Sequence, residues 1–316
     1  MTTTVLGIDA GGSSTSWLLL AGDGETIAAG RVGPVSGIEL GPADDEGSAV
    51  SPSLANLAEL VSACLEHQVP AMVVAGVTGL DSASPVAERF EDFLAARLGV
   101  ARGRVTVLGD LTTAYLAAFE PGVGVLLYAG TGSAALFLAR DGSTIRAGGH
   151  GYLIDDAGGG YWIGREALKR VLRRADSSGA APGGVLARAL FARLGGDDWP
   201  SVRTAVYGGG RAALAALTPL VAHAAQRGDP DAVAVLATAG SELARLAAVV
   251  LGRLGQVLPV SLAGGVAACG EPLLGSLREA LPAGVRFSVA GGEPVEAAAR
   301  LAARLLAGDT ALPTAS

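Results

Sequence analysis

The chain opens on a short apolar run, VLGIDA (5–10), that breaks at Gly11-Gly12 and resumes as WLLLA (17–21) before the turn signal Asp23-Gly24. Short apolar runs bounded by glycine predict strands, so residues 5–24 read as a β-hairpin. ETIAAGRVG (25–33) predicts a third strand, and the Gly-, Pro-, Ser- and acid-rich segment 34–52 a loop. SLANLAELVSACLEHQ (53–68) carries apolar residues at helical spacing, AMVVAGVTG (71–79) reads as a buried strand ending in a glycine turn, and PVAERFEDFLAARLG (85–99) as a helix with Pro near its start. RVTVLGD (104–110) predicts a strand running into a helix, LTTAYLAAF.

The pattern then begins again. VLLYAGTGSAALFLARDG (125–142) repeats the order strand, Ala-Gly, small-residue loop, strand, Asp-Gly, with Ala129 lying 119 residues after Ala10. That interval is too long for a solenoid and suggests a duplicated domain, although Gly and Ala are abundant enough here for chance to compete. Ala/Leu helices follow between about 161 and 254. PVSLAGGVAACG (259–270) is a buried strand leading into a Gly-Gly turn. EPVEAAARLAARLLAG (293–308) closes the pattern as a helix, with Pro294 in its first turn, Glu296 four residues before Arg300 and Gly308 as cap. Strands alternating with helices after an antiparallel start give an α/β class with mixed sheets. The expected division is 1–118 and 119–316, with helix 293–308 free to pack back on the first part.

Composition changes this picture little. The chain has 316 residues, enough for two cores, and a net charge of −7 without a basic cluster, which argues against a nucleic-acid partner. The two cysteines, Cys64 and Cys269, lie far apart, and His67, His150 and His223 are scattered, so neither a disulfide framework nor a zinc site is expected. The mean hydropathy of +0.45 invites a membrane reading. No run reaches transmembrane length, and Arg245, Arg253 and Gln256 interrupt the best candidate. The N-terminus lacks the basic region of a signal peptide, so the expectation is a cytoplasmic protein with no membrane partner.

Glycine-tipped hairpins let backbone N–H groups approach an anion without interference from Cβ. Ser13, Ser14 and Thr15 in the first loop, and Thr131 and Ser133 in the second, add hydroxyls. Asp9, at the end of the first strand, is a carboxylate where Mg²⁺ can sit between protein and phosphate, usually through water. A single hairpin of this kind is equally well a tight turn; two that match, with Asp9 beside one, point to a polyphosphate held from both sides.

The pieces GIDAGGSST, GDLTTAY, AGTGSAA, GGHGYLIDDAGGGYWIG and SLAGGVAA, in that order, resemble the N-acetylglucosamine kinase-like, BadF/BadG/BcrA/BcrD-type ATPases of the actin–Hsp70–hexokinase superfamily. The resemblance spans almost the whole chain. It implies two ribonuclease-H-like domains with ATP and Mg²⁺ in the cleft between them. It implies phosphate contacts from Gly11, Gly12, Ser13 and Ser14 and from Gly130, Thr131 and Gly132, with Gly264-Gly265 approaching the adenosine and Asp9 serving the metal. Asp110 matches the aspartate that accepts the proton of the sugar hydroxyl; read without the family, it is equally a helix N-cap. Asp156 matches an aspartate that binds sugar hydroxyls; alone it reads as a solvated acidic turn. Thr78, Gly79, Ser133, Gly149 and His150 complete the expected acceptor side.

Three positions depart from the family pattern. Ser36, in GPVSG, stands near the family's asparagine, His150 where tryptophan is frequent, and Asp155-Asp156-Ala157-Gly158 replaces Gly-Asp-Glu-Gly. The first two fall on the expected sugar side, where a lost amide changes selectivity strongly. The implied function is therefore an ATP-dependent kinase acting on an amino sugar or related hexose. The alternatives are an ATPase activator that holds an iron–sulfur cluster through cysteines, which the placing of Cys64 and Cys269 does not favour, and a non-catalytic sugar or nucleotide sensor. The oligomeric state stays open, a homodimer included.

Overall fold

The computed structural model describes residues 3–37, 51–80, 84–179 and 182–309. Most of the predicted loop 34–52 lies outside them. The described residues fall into two compact units. One lies within Met1–Gly122, Leu138–Thr144 and Gly291–Ser316, the other within Val123–Phe137 and Ile145–Ala290.

The first unit is built on a sheet ordered β3-β2-β1-β4-β5, from β1 (Thr4–Ala10), β2 (Thr15–Ala21), β3 (Thr26–Val32), β4 (Met72–Val77) and β5 (Val105–Gly109). β1 pairs antiparallel with β2 and parallel with β4, so the hairpin sits beside a parallel half. Leu6, Ile8 and Ala10 alternate onto a core shared with helices α1 (Pro52–Leu65) and α2 (Pro85–Leu98), where Leu57, Leu60, Phe90 and Leu94 are fully covered. Each helix starts on a serine cap, Ser51 and Ser84, with proline in its first turn.

The opposite face of the sheet carries Val5, Gly7 and Asp9. It is covered by α3 (Asp110–Ala118) and by α10 (Pro294–Leu306), the last helix of the chain. The buried side of α10 is mostly alanine (Ala298, Ala299, Ala302) plus Leu301. Small residues let the helix lie close: a Cβ on Gly7 would sit 2.5 Å from the Val295 carbonyl oxygen. This closeness brings the start of α10 to the end of β1 that bears Asp9.

The second unit repeats the plan. Its sheet runs β10-β9-β6-β7-β8, from β6 (Val125–Ala129), β7 (Ser133–Leu138), β8 (Thr144–Gly148), β9 (Val260–Ala263) and β10 (Phe287–Val289). β6 pairs antiparallel with β7 and parallel with β9, as β1 does with β2 and β4. The duplication expected from the sequence is thus present in the strand order. Among the described residues, the first unit has the α-helix α1 before β4 where the second has five before β9: α4 (Gly160–Ser178), α5 (Val185–Leu194), α6 (Trp199–Ala215), α7 (Thr218–Gln226) and α8 (Pro230–Leu254). α6 breaks at Gly210, whose φ is +55°. α8 is the only helix among the described residues long and apolar enough to cross a membrane. Here it is a core helix, with Val235, Leu236, Leu243, Ala247 and Val250 in the main apolar cluster. α9 (Glu271–Ala280) rests on it, its Leu273 carbonyl against Gly240.

Candidate active site

In the first unit, Asp9 is half-buried near the end of β1, opposite Ser16 on one side and Gly76 on the other. The Thr113 hydroxyl of α3 fills the space a side chain at Gly76 would need, and this close approach sets the start of α3 beside Asp9. Burial, then the charges of Asp110 and Glu293, raise the Asp9 carboxyl to about 6, against a smaller opposing effect from Arg31. Asp110 is the first residue of α3, not its cap. Gly109 occupies the cap position, and Asp110 Oδ1 accepts from the Leu111 N–H at 2.8 Å. A carboxylate has capacity for further bonds, so this contact leaves Asp110 able to accept a hydroxyl.

The first loop is closed by the Gly11 N–H donating to the Ser14 carbonyl at 3.0 Å, with Gly12 and Ser13 exposed at the tip. Thr78 ties its neighbours together. Its N–H donates to the Ala10 carbonyl at 2.9 Å, and its carbonyl accepts from Gly37 at 3.0 Å. Gly79 follows with φ +69°, and the Leu80 carbonyl passes near Gly109. Thr78, Gly79 and Asp110 are therefore brought to one end of the sheet, with Asp9. The hydroxyl of Thr15, just after the loop, is buried with no hydrogen-bond partner among the described residues.

In the second unit the loop between β6 and β7 is fastened to α4. The Gly130 and Thr131 carbonyls accept from the N–H groups of Gly160 and Tyr161, at 2.8 and 3.0 Å. Two of the helix's initial donors, unpaired in any isolated helix, are satisfied this way. Gly159 packs on the Gly132 backbone, where a Cβ would lie 2.7 Å from its carbonyl carbon. The glycine run 158–160 thus serves close packing. Ser133 lies beneath the loop, its buried hydroxyl donating to the Ala157 carbonyl at 2.7 Å. Gly264, φ +94°, backs onto the same loop: a Cβ there would lie 2.5 Å from the Ala129 carbonyl oxygen. Gly265, exposed, begins the 3-10 turn Gly265–Cys269.

Asp156 is not the solvated turn residue that the sequence alone offers as one reading. It is buried, is the only non-glycine residue with positive φ (+55°) among the described residues, and accepts from the Gly151 N–H at 3.3 Å. The Gly149 N–H donates to the Ser133 carbonyl at 2.8 Å, while Arg146 holds the Gly149 carbonyl at 2.8 Å; His150 beyond it is exposed. Gly130, Thr131, Gly132, Ser133, Gly149, Asp156 and Gly264 accordingly form one connected cluster.

The residues suit magnesium and a polyphosphate better than a protein-caged metal. Among the described residues no group of three or more His, Cys, Asp or Glu can hold an ion. Asp9 with two further carboxylates nearby is instead a partly buried excess of negative charge, which suits a cation that keeps waters and takes its other ligands from phosphate. Glu293, the residue preceding α10, escapes the sequence analysis; its only signal is its place before Pro294 at a helix start. Both cysteines are buried, one in each unit, and burial pushes each thiol up to about 11.

Residues 6–285 match the family model described as the BadF/BadG/BcrA/BcrD ATPase family. Two relatives match over shorter stretches. An N-acetylmuramic acid/N-acetylglucosamine kinase of Clostridium acetobutylicum is 35% identical over 77 residues, 24% of this chain and 25% of its own. An N-acetyl-D-glucosamine kinase of Dictyostelium discoideum is 33% identical over 135 residues, 42% of each chain. These matches span less than half of either relative. Among solved structures, a candidate N-acetylglucosamine kinase from Chromobacterium violaceum superposes with a TM-score of 0.74 at 28% identity, covering 95% of this chain and 99% of its own.

Proposed function

The chain belongs to the BadF/BadG/BcrA/BcrD ATPase family, and from that premise we propose that it is a cytoplasmic kinase that transfers the γ-phosphoryl group of ATP to a hydroxyl of an amino sugar or related hexose. The observation that carries this reading is Asp110 at the head of α3 next to Asp9, in a unit that also bears a glycine-edged loop, while the second unit bears a matching loop of its own. The kinship with N-acetylglucosamine kinases supports the acceptor class.

Phosphoryl transfer asks chiefly for positioning and charge neutralisation. In this reading Asp110 accepts the proton of the sugar hydroxyl and orients its oxygen toward the γ-phosphorus. Gly11, Gly12, Ser13 and Ser14, and Gly130, Thr131 and Gly132, offer backbone and hydroxyl donors to the phosphates, and Gly264-Gly265 borders the adenosine. Asp9 holds Mg²⁺, which when bound neutralises phosphate charge. Thr78 and Gly79 in the first unit, and Ser133, Gly149, His150 and Asp156 in the second, are assigned to the acceptor, with the Ser133 hydroxyl donating to the Ala157 carbonyl. The buried cysteines do not suit the activator alternative, since a cluster shared between copies needs thiols that reach the surface. A coupled ADP-release assay over a panel of hexoses and amino sugars tests the proposal: release that depends on the sugar supports it, and ADP release indifferent to every sugar contradicts it.

A further inference from the structure

The face of the first sheet that α10 covers changes character row by row. Residues directly opposite one another on neighbouring strands share a face, so the register gives the rows. Val5 lies opposite Leu20, and Gly7 opposite Leu18. Both rows are apolar, and Val5, Leu18 and Leu20 are buried in one cluster with the alanines of α10. The next row is Asp9, Ser16 and Arg31, on β1, β2 and β3 in turn. It lies at the end of the sheet where loop 11–14 joins β1 to β2, beyond the part of the face that α10 covers. Asp9 and Ser16 are half-buried there and Arg31 is exposed.

None of these three side chains makes a hydrogen bond or ion pair among the described residues. Other arginines of this unit are engaged: Arg102 with Glu91 and Asp92, Arg300 with Glu296, Arg304 with Glu120 and Asp309, and Arg97 over the Phe93 ring. Strands lie about 4.8 Å apart, so the Arg31 backbone is about 10 Å from that of Asp9, with Ser16 between. Its positive charge is felt at the Asp9 carboxyl, yet the two groups do not meet. A guanidinium and a carboxylate that share a row without touching leave room for a ligand that uses both. A bare anion gains from Arg31 and is repelled by Asp9, Asp110 and Glu293. A bare cation has the reverse preference. A metal-bound phosphate satisfies the two ends of the row together.

We infer that Arg31 binds the polyphosphate of the nucleotide, as the side-chain cation of the first unit's phosphate site, with the Ser16 hydroxyl as a further donor beside it. The inference rests on the nucleotide reading above. It adds a full positive charge that the backbone donors of the glycine loop do not supply. Arginine suits the task, because its planar fork donates two parallel hydrogen bonds to phosphate oxygens and stays charged at every working pH. The chain's one lysine, Lys169, belongs to the second unit and is tied to Glu166.

Calorimetric titration with ADP and with inorganic tripolyphosphate, both with Mg²⁺ and at physiological ionic strength, tests the inference. Arg31→Gln should lose about tenfold or more in affinity for each, the effect of hydrogen bonds to a charged group. Its melting temperature should match that of the wild type, since Arg31 is exposed and unpaired. Arg31→Lys keeps the charge without the fork and should fall between the two. Arg104→Gln removes an exposed arginine just before β5, at the other end of the sheet, and should stay within about twofold of wild type because distant surface charges are screened. Wild-type affinity for both ligands in Arg31→Gln, a loss for ADP that tripolyphosphate does not share, or an equal loss in Arg104→Gln would overturn the inference and leave the nucleotide reading intact. A wild-type protein that binds neither ADP nor tripolyphosphate overturns both.

Discussion

The carboxylate of Asp156 lies where a side chain on Gly132 would begin. A side chain at Gly132 would therefore displace that carboxylate, a constraint internal to the protein before any ligand is considered. Asp156 is itself held in a left-handed backbone conformation and buried, so neither partner has an easy way to move. The pair joins the β6–β7 loop to the segment that bears Gly149 and His150.

Gly132→Ala should accordingly cost about 1–3 kcal/mol of stability, the usual range for overpacking. It should also weaken ADP binding by about tenfold or more, because the loop moves with the displaced carboxylate. Thermal denaturation and ADP titration on one preparation check both. A variant with wild-type melting temperature and ADP affinity would contradict the contact.

Asp110 is expected to matter for transfer and not for nucleotide affinity. Asp110→Ala should lower the transfer rate by about 10²–10⁴, the range of general-base contributions, with ADP affinity kept within about twofold. Steady-state rates compared with titration decide this, and comparable rates in variant and wild type would remove Asp110 from the base role.

Asp9 gives a dependence on pH whose direction follows from its surroundings. Its carboxyl is raised from 3.8 to about 6, so between about pH 4 and 6 the folded state holds a proton that the unfolded chain has released. Stability from this group is full below the lower value and falls as pH rises through the upper one, by up to about 3 kcal/mol. Mg²⁺ should reverse that loss, since it binds the ionised form. Melting temperatures recorded from pH 4 to 8 should therefore show stabilisation by Mg²⁺ over EDTA at pH 8 that fades by pH 5. Asp9→Asn should melt higher than wild type at pH 8 in EDTA, respond little to Mg²⁺ and lose transfer. An Mg²⁺ effect on melting independent of pH would count against Asp9 as the metal residue.

Much of the fold is legible in the sequence because its strands are continuous apolar runs cut by glycine: VLGIDAGG and VLLYAGTG each announce a strand, a loop and a return. The same runs disclose the duplication, which the two strand orders share. What stays hidden depends on contacts distant in the chain. β10 is three residues long and too short to leave a pattern, and β8 and α9 are likewise unmarked. The glycines at 158–160 look like a flexible loop until Gly159 is seen packed on Gly132. Ser133 looks like an open donor until Ala157 is found above its hydroxyl. The charge of Glu293 is felt at Asp9 because alanines on α10 and Gly7 on β1 allow the helix to approach.

Thr15 provides a stability test that leaves the site chemistry aside. Its hydroxyl is buried with no partner among the described residues, and such a group costs about 1–3 kcal/mol in desolvation. Thr15→Val keeps the shape and removes the cost, so it should raise stability by about 1 kcal/mol in denaturant titration. A loss of similar size would show that the hydroxyl is satisfied.

The central claim is transfer of a phosphoryl group from ATP to a sugar, and phosphorus NMR of the wild-type protein with ATP, Mg²⁺ and N-acetylglucosamine or glucosamine tests it most directly. The account predicts that the γ-phosphate resonance is lost in step with the appearance of ADP and one new sugar phosphomonoester resonance. Conversion of ATP to ADP with inorganic phosphate as the sole other product, whichever sugar is present, would contradict it.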